Sequence, residues 1–180
     1  GDLALALDPN DVNKVYLLTG KYTQSWAGNG ALLASSDQGA TWSVNALPFK
    51  VGGNEDGRGA GERLAVDPNL GSILFAGSNA SGLYKSVNSG VAWAAVGAFP
   101  STNITFVTFD KSSSSTGTDT STNYIGVNAT ANNRARSHSC GGHAAAVCGM
   151  RRASSSGNLK SASRRAANVS ALRAGSRGAA

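Results

Sequence analysis

Residues 35–42 read SSDQGATW, and residues 86–93 read SVNSGVAW. Both fit the pattern Ser, any residue, Asp or Asn, any residue, Gly, two residues, Trp, and they begin 51 residues apart. In the first copy Gly39 supplies the positive-φ backbone that a tight turn needs. Asp37 is placed to accept bonds from turn amides, with Ser35 and Thr41 tying the ends. Trp42 is expected to cover the turn and bury a large apolar area. In the second copy Ser86, Asn88, Gly90 and Trp93 hold the same places. An amide oxygen accepts the same bonds as a carboxylate, whereas an acid that moves protons does not tolerate that exchange. The box reads as a structural hairpin, and Asp37 as no active-site acid.

Working outward, each box follows a Gly-led apolar run, GALLA at 30–34 and GLYK at 82–85. Further upstream, LALDPNDVNKVYLLTG (5–20) matches LAVDPNLGSILFAGS (64–78). Each half reads as strand, Asp-Pro-Asn turn, strand, loop, strand, box, strand. Pro presets φ in that turn and the Asx side chains bond nearby backbone. VYLLTG and ILFAGS are short apolar runs that predict strands buried on both faces. A third copy begins with FVTFDKSSSS (106–115) and NYIGV (123–127), then decays. One more period lands on Ser137, with Gly141 in place, but Ser139 and Ala144 stand where the acid or amide and the Trp belong. Units of about 50 residues with four short strands are the signature of propeller blades. The expected fold is all-β: a partial β-propeller of two to three four-stranded blades. Too few to close a ring, they imply the remainder of a parent propeller as a partner.

Composition agrees, because 23 Gly among 180 residues suit tight turns better than helices. That length is enough for one domain with a real core. The chain starts at Gly1 without a charged-then-apolar leader, so no targeting segment is read. No apolar run approaches the roughly 20 residues of a membrane span. The formal charge of +6 conceals two regions: residues 1–133 carry seven basic and ten acidic residues, and residues 134–180 carry nine basic and no acidic ones. The last aromatic residue is Tyr124. This divides the chain into a partial propeller, 1–133, and a low-complexity basic tail, 134–180, for which disorder is expected. The break also reads as a frame or gene-model change beyond about Asn133.

His138, Cys140, His143 and Cys148 match no standard zinc spacing, so no metal is expected. A disulfide between Cys140 and Cys148 is the alternative in a secreted chain. The tail raises electrostatic binding to nucleic acid as a rival function. No aromatics interleave with its arginines, and neither a nucleic-acid nor a membrane partner is expected.

The segment LPFKVGGNEDGRGAGERLAVDP (47–68), with GKYTQSWAGNGALLASSDQGATW (20–42) before it, carries a family resemblance. From about residue 5 to residue 100 the chain closely resembles glycoside hydrolase family 74. Its members are xyloglucan-degrading endo-glucanases and reducing-end-specific cellobiohydrolases. The resemblance implies two seven-bladed propellers facing each other across an open cleft, no cofactor, and a secreted, extracellular enzyme. Its implied substrate is a plant cell-wall polysaccharide, xyloglucan or a related β-glucan. It further implies inverting hydrolysis by two aspartates, whose carboxyls stand roughly 6.5–9.5 Å apart. In the family one of these precedes the Leu-Ala-x-Asp-Pro strand of the first blade and the other belongs to the second propeller. Neither falls on a residue of this sequence, so the chain alone is expected to be inactive. The alternative is a non-catalytic propeller module that binds a glucan or a protein partner.

Glu55, Asp56 and Glu62 form the one acidic cluster, interleaved with Arg58 and Arg63. The structural expectation is a charge network in which Arg forks bind carboxylates and order a Gly-rich loop. Asn54, Glu55, Asp56 and Arg58 are also candidate sugar contacts. Tyr22 and Trp26 lie in a polar, Gly-containing loop, and exposed loop aromatics suit a polysaccharide cleft because sugar rings stack on them. Asn79-Ala80-Ser81, Asn103-Ile104-Thr105, Asn128-Ala129-Thr130 and Asn168-Val169-Ser170 fit the glycosylation acceptor pattern.

Overall fold

The computed structural model describes residues 1–97 and 102–127, and the backbone of residues 138–140 and 143–149. Three four-stranded sheets follow one another along the chain. The first contains β1 (Asp2–Asp8), β2 (Asp11–Thr19), β3 (Ala31–Ser35) and β4 (Ser43–Ala46), in that order and antiparallel throughout. The second repeats it with β5 (Leu64–Val66), β6 (Leu74–Gly77), β7 (Leu83–Ser86) and β8 (Ala94–Ala95). The third opens alike, with β9 (Ile104–Phe109) antiparallel to β10 (Thr122–Val127). It is completed by β11 (His138–Cys140) and β12 (His143–Gly149), and β12 runs parallel to β10. The first two sheets have the all-β, blade-by-blade architecture that the repeat implies, and the third departs from it in strand order and in its parallel pair. The side chains of the third box, the His and Cys set, and the rest of the basic tail lie outside the described residues.

The turn after each first strand is built the same way. Asp8 Oδ1 accepts the Asn10 amide (2.8 Å), and Asp67 Oδ1 accepts that of Asn69 (2.8 Å). Asp110 accepts the Ser112 amide (3.0 Å), although Pro and Asn are gone from the third copy. That copy makes a single 3₁₀ turn at Lys111–Ser113 instead. The turns also tie one blade to the next. Asn10 donates to the Asp67 carbonyl (3.4 Å), and Asn69 to the carbonyls of Lys111 (2.9 Å) and Ser114 (3.2 Å).

Two cores lie between the sheets rather than within any one of them. Leu3, Tyr16, Leu18, Leu32, Phe49 and Val51 pack against Leu64, Val66, Leu74 and Ala76 of the second sheet. On its opposite face, Ile73, Phe75 and Leu83 pack against Ile104, Val107, Ile125 and Val127. All four residues of β6 are buried, as ILFAGS predicts for a strand covered on both faces. VYLLTG does not behave likewise. Tyr16 and Leu18 are buried, while Val15 and Leu17 are half-exposed. Their face of the first sheet, with Leu5, Leu7 and Val44 exposed, meets no sheet among the described residues.

Both boxes close as hairpin loops, β3 to β4 and β7 to β8. Ser35 Oγ donates to Asp37 Oδ1 (2.7 Å) and accepts the Gly39 amide (2.8 Å). Ser86 does the same with Asn88 Oδ1 (2.9 Å) and Gly90 (2.9 Å). The Asp37 and Asn88 oxygens each accept the amide four residues on, from Thr41 (2.8 Å) and Ala92 (2.9 Å). Only Asp37 has a second oxygen to use, and it accepts the Thr41 hydroxyl (2.6 Å). The turn has two consecutive positive-φ residues, Gln38-Gly39 and Ser89-Gly90, where the sequence pointed to the glycine alone. The tryptophans differ as well. Trp93 packs edge-on to Phe49 within the interblade core. Trp42 lies against Gly39 but stays 39% exposed, short of the large burial expected of it.

Candidate functional site

The boxes sit at one end of the first two blades. At the other end the chain leaves β2 at Thr19 and returns at Ala31. Val15 pairs with Ser35 and Thr19 with Ala31, so at about 3.3 Å per residue the two ends are roughly 13 Å apart. Residues 20–30 form an eleven-residue connection there, and Trp26 is 72% exposed on it. Tyr22 lies beside Trp26, with ring centroids 5.3 Å apart and planes tilted by 52°. The Ala27 amide donates to the Gln24 carbonyl (3.0 Å) and closes a turn around the tryptophan. A groove of about 540 Å³ runs alongside, lined by Asp2, Thr19, Lys21, Trp26 and Asn29 among others.

This loop is held from beneath. Thr23 donates both its amide and its hydroxyl to Glu55 Oε1 (2.6 Å each). Lys50 Nζ donates to the carbonyls of Gln24 (2.5 Å) and Ser25 (3.1 Å), the two residues before Trp26. Glu55 Oε2 accepts Asn79 Nδ2 (3.1 Å) from the second blade. Burial alone pushes the Glu55 carboxyl up, but bonds from Thr23, Asn79 and Gln24 outweigh it and hold the group below the ordinary range. The linker comes this close because of its glycines: a Cβ on Gly53 would run into the carbonyls of Gly1 and Gly20. Neither Lys50, Thr23 nor Asn79 stands out in the sequence as a loop support. Asn79 reads there as a glycan acceptor, yet its Nδ2, the atom a glycan would occupy, is bonded to Glu55.

The acidic cluster is not the charge network its composition suggests. Arg63 is fully buried and directs all its bonds to carbonyls: Nε to Ile104 (2.5 Å), Nη1 to Arg58 (3.0 Å) and Nη2 to Gly57 (2.8 Å). Burial lowers its pKa, while Glu62 opposes the shift. Arg58 likewise donates to the carbonyl of Glu55 (3.4 Å). Two of these carbonyls, Gly57 and Arg58, belong to the loop that precedes β5 and the third opens β9, so one guanidinium fork ties the loop to the third sheet. Asp56 and Arg58 are exposed, and Asp56 forms no ion pair among the described residues. Asn54 is exposed beside Gly1, with its amide on the Lys21 carbonyl (2.9 Å). Of the candidate sugar contacts, Trp26 lines the groove with Tyr22 against its ring, and Glu55 turns inward beneath the loop.

An aromatic ledge beside polar groups can bind a sugar ring by its apolar C–H face while bonding its hydroxyls. Asp2 is the one acidic residue among those lining the groove, whereas glycosidic hydrolysis takes two carboxylates. Binding is what this geometry supports.

No family model matches the chain. A xyloglucanase of Hypocrea jecorina is 47% identical over 143 residues, which are 68% of this chain and 17% of that protein. A xyloglucanase of a Paenibacillus species is 44% identical over 165 residues, 82% of this chain and 16% of that protein. The chain therefore spans about one sixth of the length of these curated relatives. Among solved structures, the GH74 xyloglucanase of Xanthomonas campestris superposes with a TM-score of 0.67 at 42% identity, over 71% of this chain and 20% of that one.

Proposed function

Because this chain belongs to glycoside hydrolase family 74, we propose that it forms part of the substrate-binding wall of a secreted enzyme. The enzyme cleaves β-1,4-glucan backbones such as xyloglucan with inversion of configuration. This segment contributes binding, and the two catalytic aspartates come from elsewhere in the protein. The observation that carries the reading is the eleven-residue loop that presents Tyr22 and a 72% exposed Trp26 beside a groove. An exposed tryptophan that is held in place offers a stacking face at little entropic cost on binding.

The test is Trp26→Ala in the full-length protein that carries this sequence, titrated with a xyloglucan oligosaccharide. Loss of the stacking face costs about 1–2 kcal/mol, a five- to thirtyfold weaker Kd. Unchanged affinity would remove the groove from the binding surface. The 180-residue chain alone is expected to release no reducing sugar from xyloglucan; measurable hydrolysis by it would overturn the assignment of catalysis to other segments.

A further inference from the structure

We infer that Glu55 is a positioning residue: it latches the Trp26 loop of the first blade to the second blade and so sets the orientation of the sugar-stacking face. The inference rests on the proposed role of Trp26. It accounts for why only one acid of the cluster is turned inward. Glu62 and Asp56 are exposed, while both oxygens of Glu55 are committed. Oε1 takes two bonds from Thr23, three residues before Trp26, and Oε2 takes one from Asn79 in the connection between β6 and β7.

Three further features fit a built latch. A Cβ on Gly52 would collide with both Glu55 Oε2 and Asn79 Nδ2, so the glycine makes room for this contact. Lys50, from the same linker, takes the next two carbonyls of the loop. The polypeptide before Trp26 is thus gripped by an acceptor at residue 23 and a donor at residues 24 and 25. Finally, Asn79 Oδ1 is buried without a hydrogen-bond partner among the described residues. Asn79 pays for that orphaned oxygen with the bond its nitrogen makes to Glu55. Glu55 touches no groove-lining aromatic in these contacts, and its effect on the sugar passes through the backbone of the loop.

The experiment is a double-mutant cycle in the full-length protein, read as Kd for a xyloglucan oligosaccharide and as KM and kcat on xyloglucan. Glu55→Ala is expected to weaken binding about tenfold, with KM changing more than kcat. Glu55→Gln is expected to recover most of that loss. It keeps one oxygen for Thr23, and a flip of Asn79 presents its free Oδ1 to the new amide. In the Trp26→Ala background, Glu55→Ala should add less than twofold, because the ledge it orients is gone. A full further tenfold loss in that background would show that Glu55 acts on the sugar directly or through general stability, and would overturn the proposal. Wild-type affinity of Glu55→Ala would overturn it too, while leaving the role of Trp26 intact. No effect of Trp26→Ala itself would instead sink the binding reading. Should Glu55→Ala not fold, Thr23→Val removes one of the two bonds to Oε1 and is expected to weaken binding two- to threefold, with no change overturning the latch.

Discussion

The first two blades are alike at one end and unlike at the other. At the box end, Ser35 and Ser86, Asp37 and Asn88, Gly39 and Gly90 make the same bonds to within 0.2 Å. At the opposite end, residues 20–30 of the first blade span eleven positions and carry Tyr22 and Trp26, whereas residues 78–82 of the second form a five-residue turn. That short turn closes on itself, with Ser78 Oγ accepting the amides of Ala80 (3.1 Å) and Ser81 (3.0 Å). A repeat fold keeps the end that closes each blade and varies the end that meets the ligand. The difference between these two connections is therefore a better guide to the binding face than the recurring box.

The likeness of the boxes breaks down where each meets its surroundings, and substitutions can expose this. The largest effect is expected at the glycines. Both occupy positive φ, so alanine costs each about 1–2 kcal/mol of strain. A Cβ on Gly90 also runs into Leu32 of the preceding blade, while one on Gly39 meets only the Trp42 ring at 3.3 Å. Overpacking adds about 1–3 kcal/mol, so Gly90→Ala should lower the urea midpoint clearly more than Gly39→Ala. Equal losses would mean that the interblade contact carries no energy.

The interblade asparagines come next. Asn69 is buried and its Nδ2 is bonded to Lys111 O, Ser114 O and Thr120 Oγ1, whereas the exposed Asn10 makes one 3.4 Å bond through its Nδ2. Asn69→Ala removes a buried bond to Thr120 Oγ1 and two part-buried ones to carbonyls and should cost about 2–3 kcal/mol, against about 0.5 kcal/mol for Asn10→Ala. Thermal unfolding of the pair measures the contrast, and a reversed order would refute the staple.

The smallest effect is electrostatic and belongs to the first box alone. Asp37 has its pKa lowered to about 2, by the Thr41 hydroxyl first, then the Thr41 amide and Ser35. The folded state therefore binds its proton less readily than the unfolded chain. Ionised Asp37 stabilises above the unfolded value of about 4, and that contribution fades as pH falls toward 2. Asp37→Asn should make the acid-side fall in Tm between pH 4 and 2 shallower. An unaltered profile would show that solvent screens the exposed carboxylate completely.

Much of the fold was legible because the relevant interactions are local. The Asp-Pro-Asn turn and the box satisfy their own backbone within four residues, so spacing alone announces them. The positive φ at Gln38 and Ser89 was not legible, since neither residue type signals it; the flanking bonds of Ser35 and Ser86 impose it. Arg63 misled for a related reason. Interleaved charges suggest ion pairs, but in the fold the acceptors that meet the buried guanidinium are carbonyls, two in its own loop and one 41 positions away on β9.

By itself, the sequence determined the blade: four strands, two turn motifs and a 51-residue period, all governed by contacts between near neighbours in the chain. Tertiary structure alone decided which of two equivalent tryptophans packs into the interblade core, which of three acids turns inward, and which connection carries an open aromatic face. Those outcomes depend on what the adjoining blade places opposite each residue. Trp93 finds Phe49, and Trp42 finds no such partner among the described residues. Glu55 finds Thr23 and Asn79, 32 positions before it and 24 after, and no local pattern records such distances along the chain.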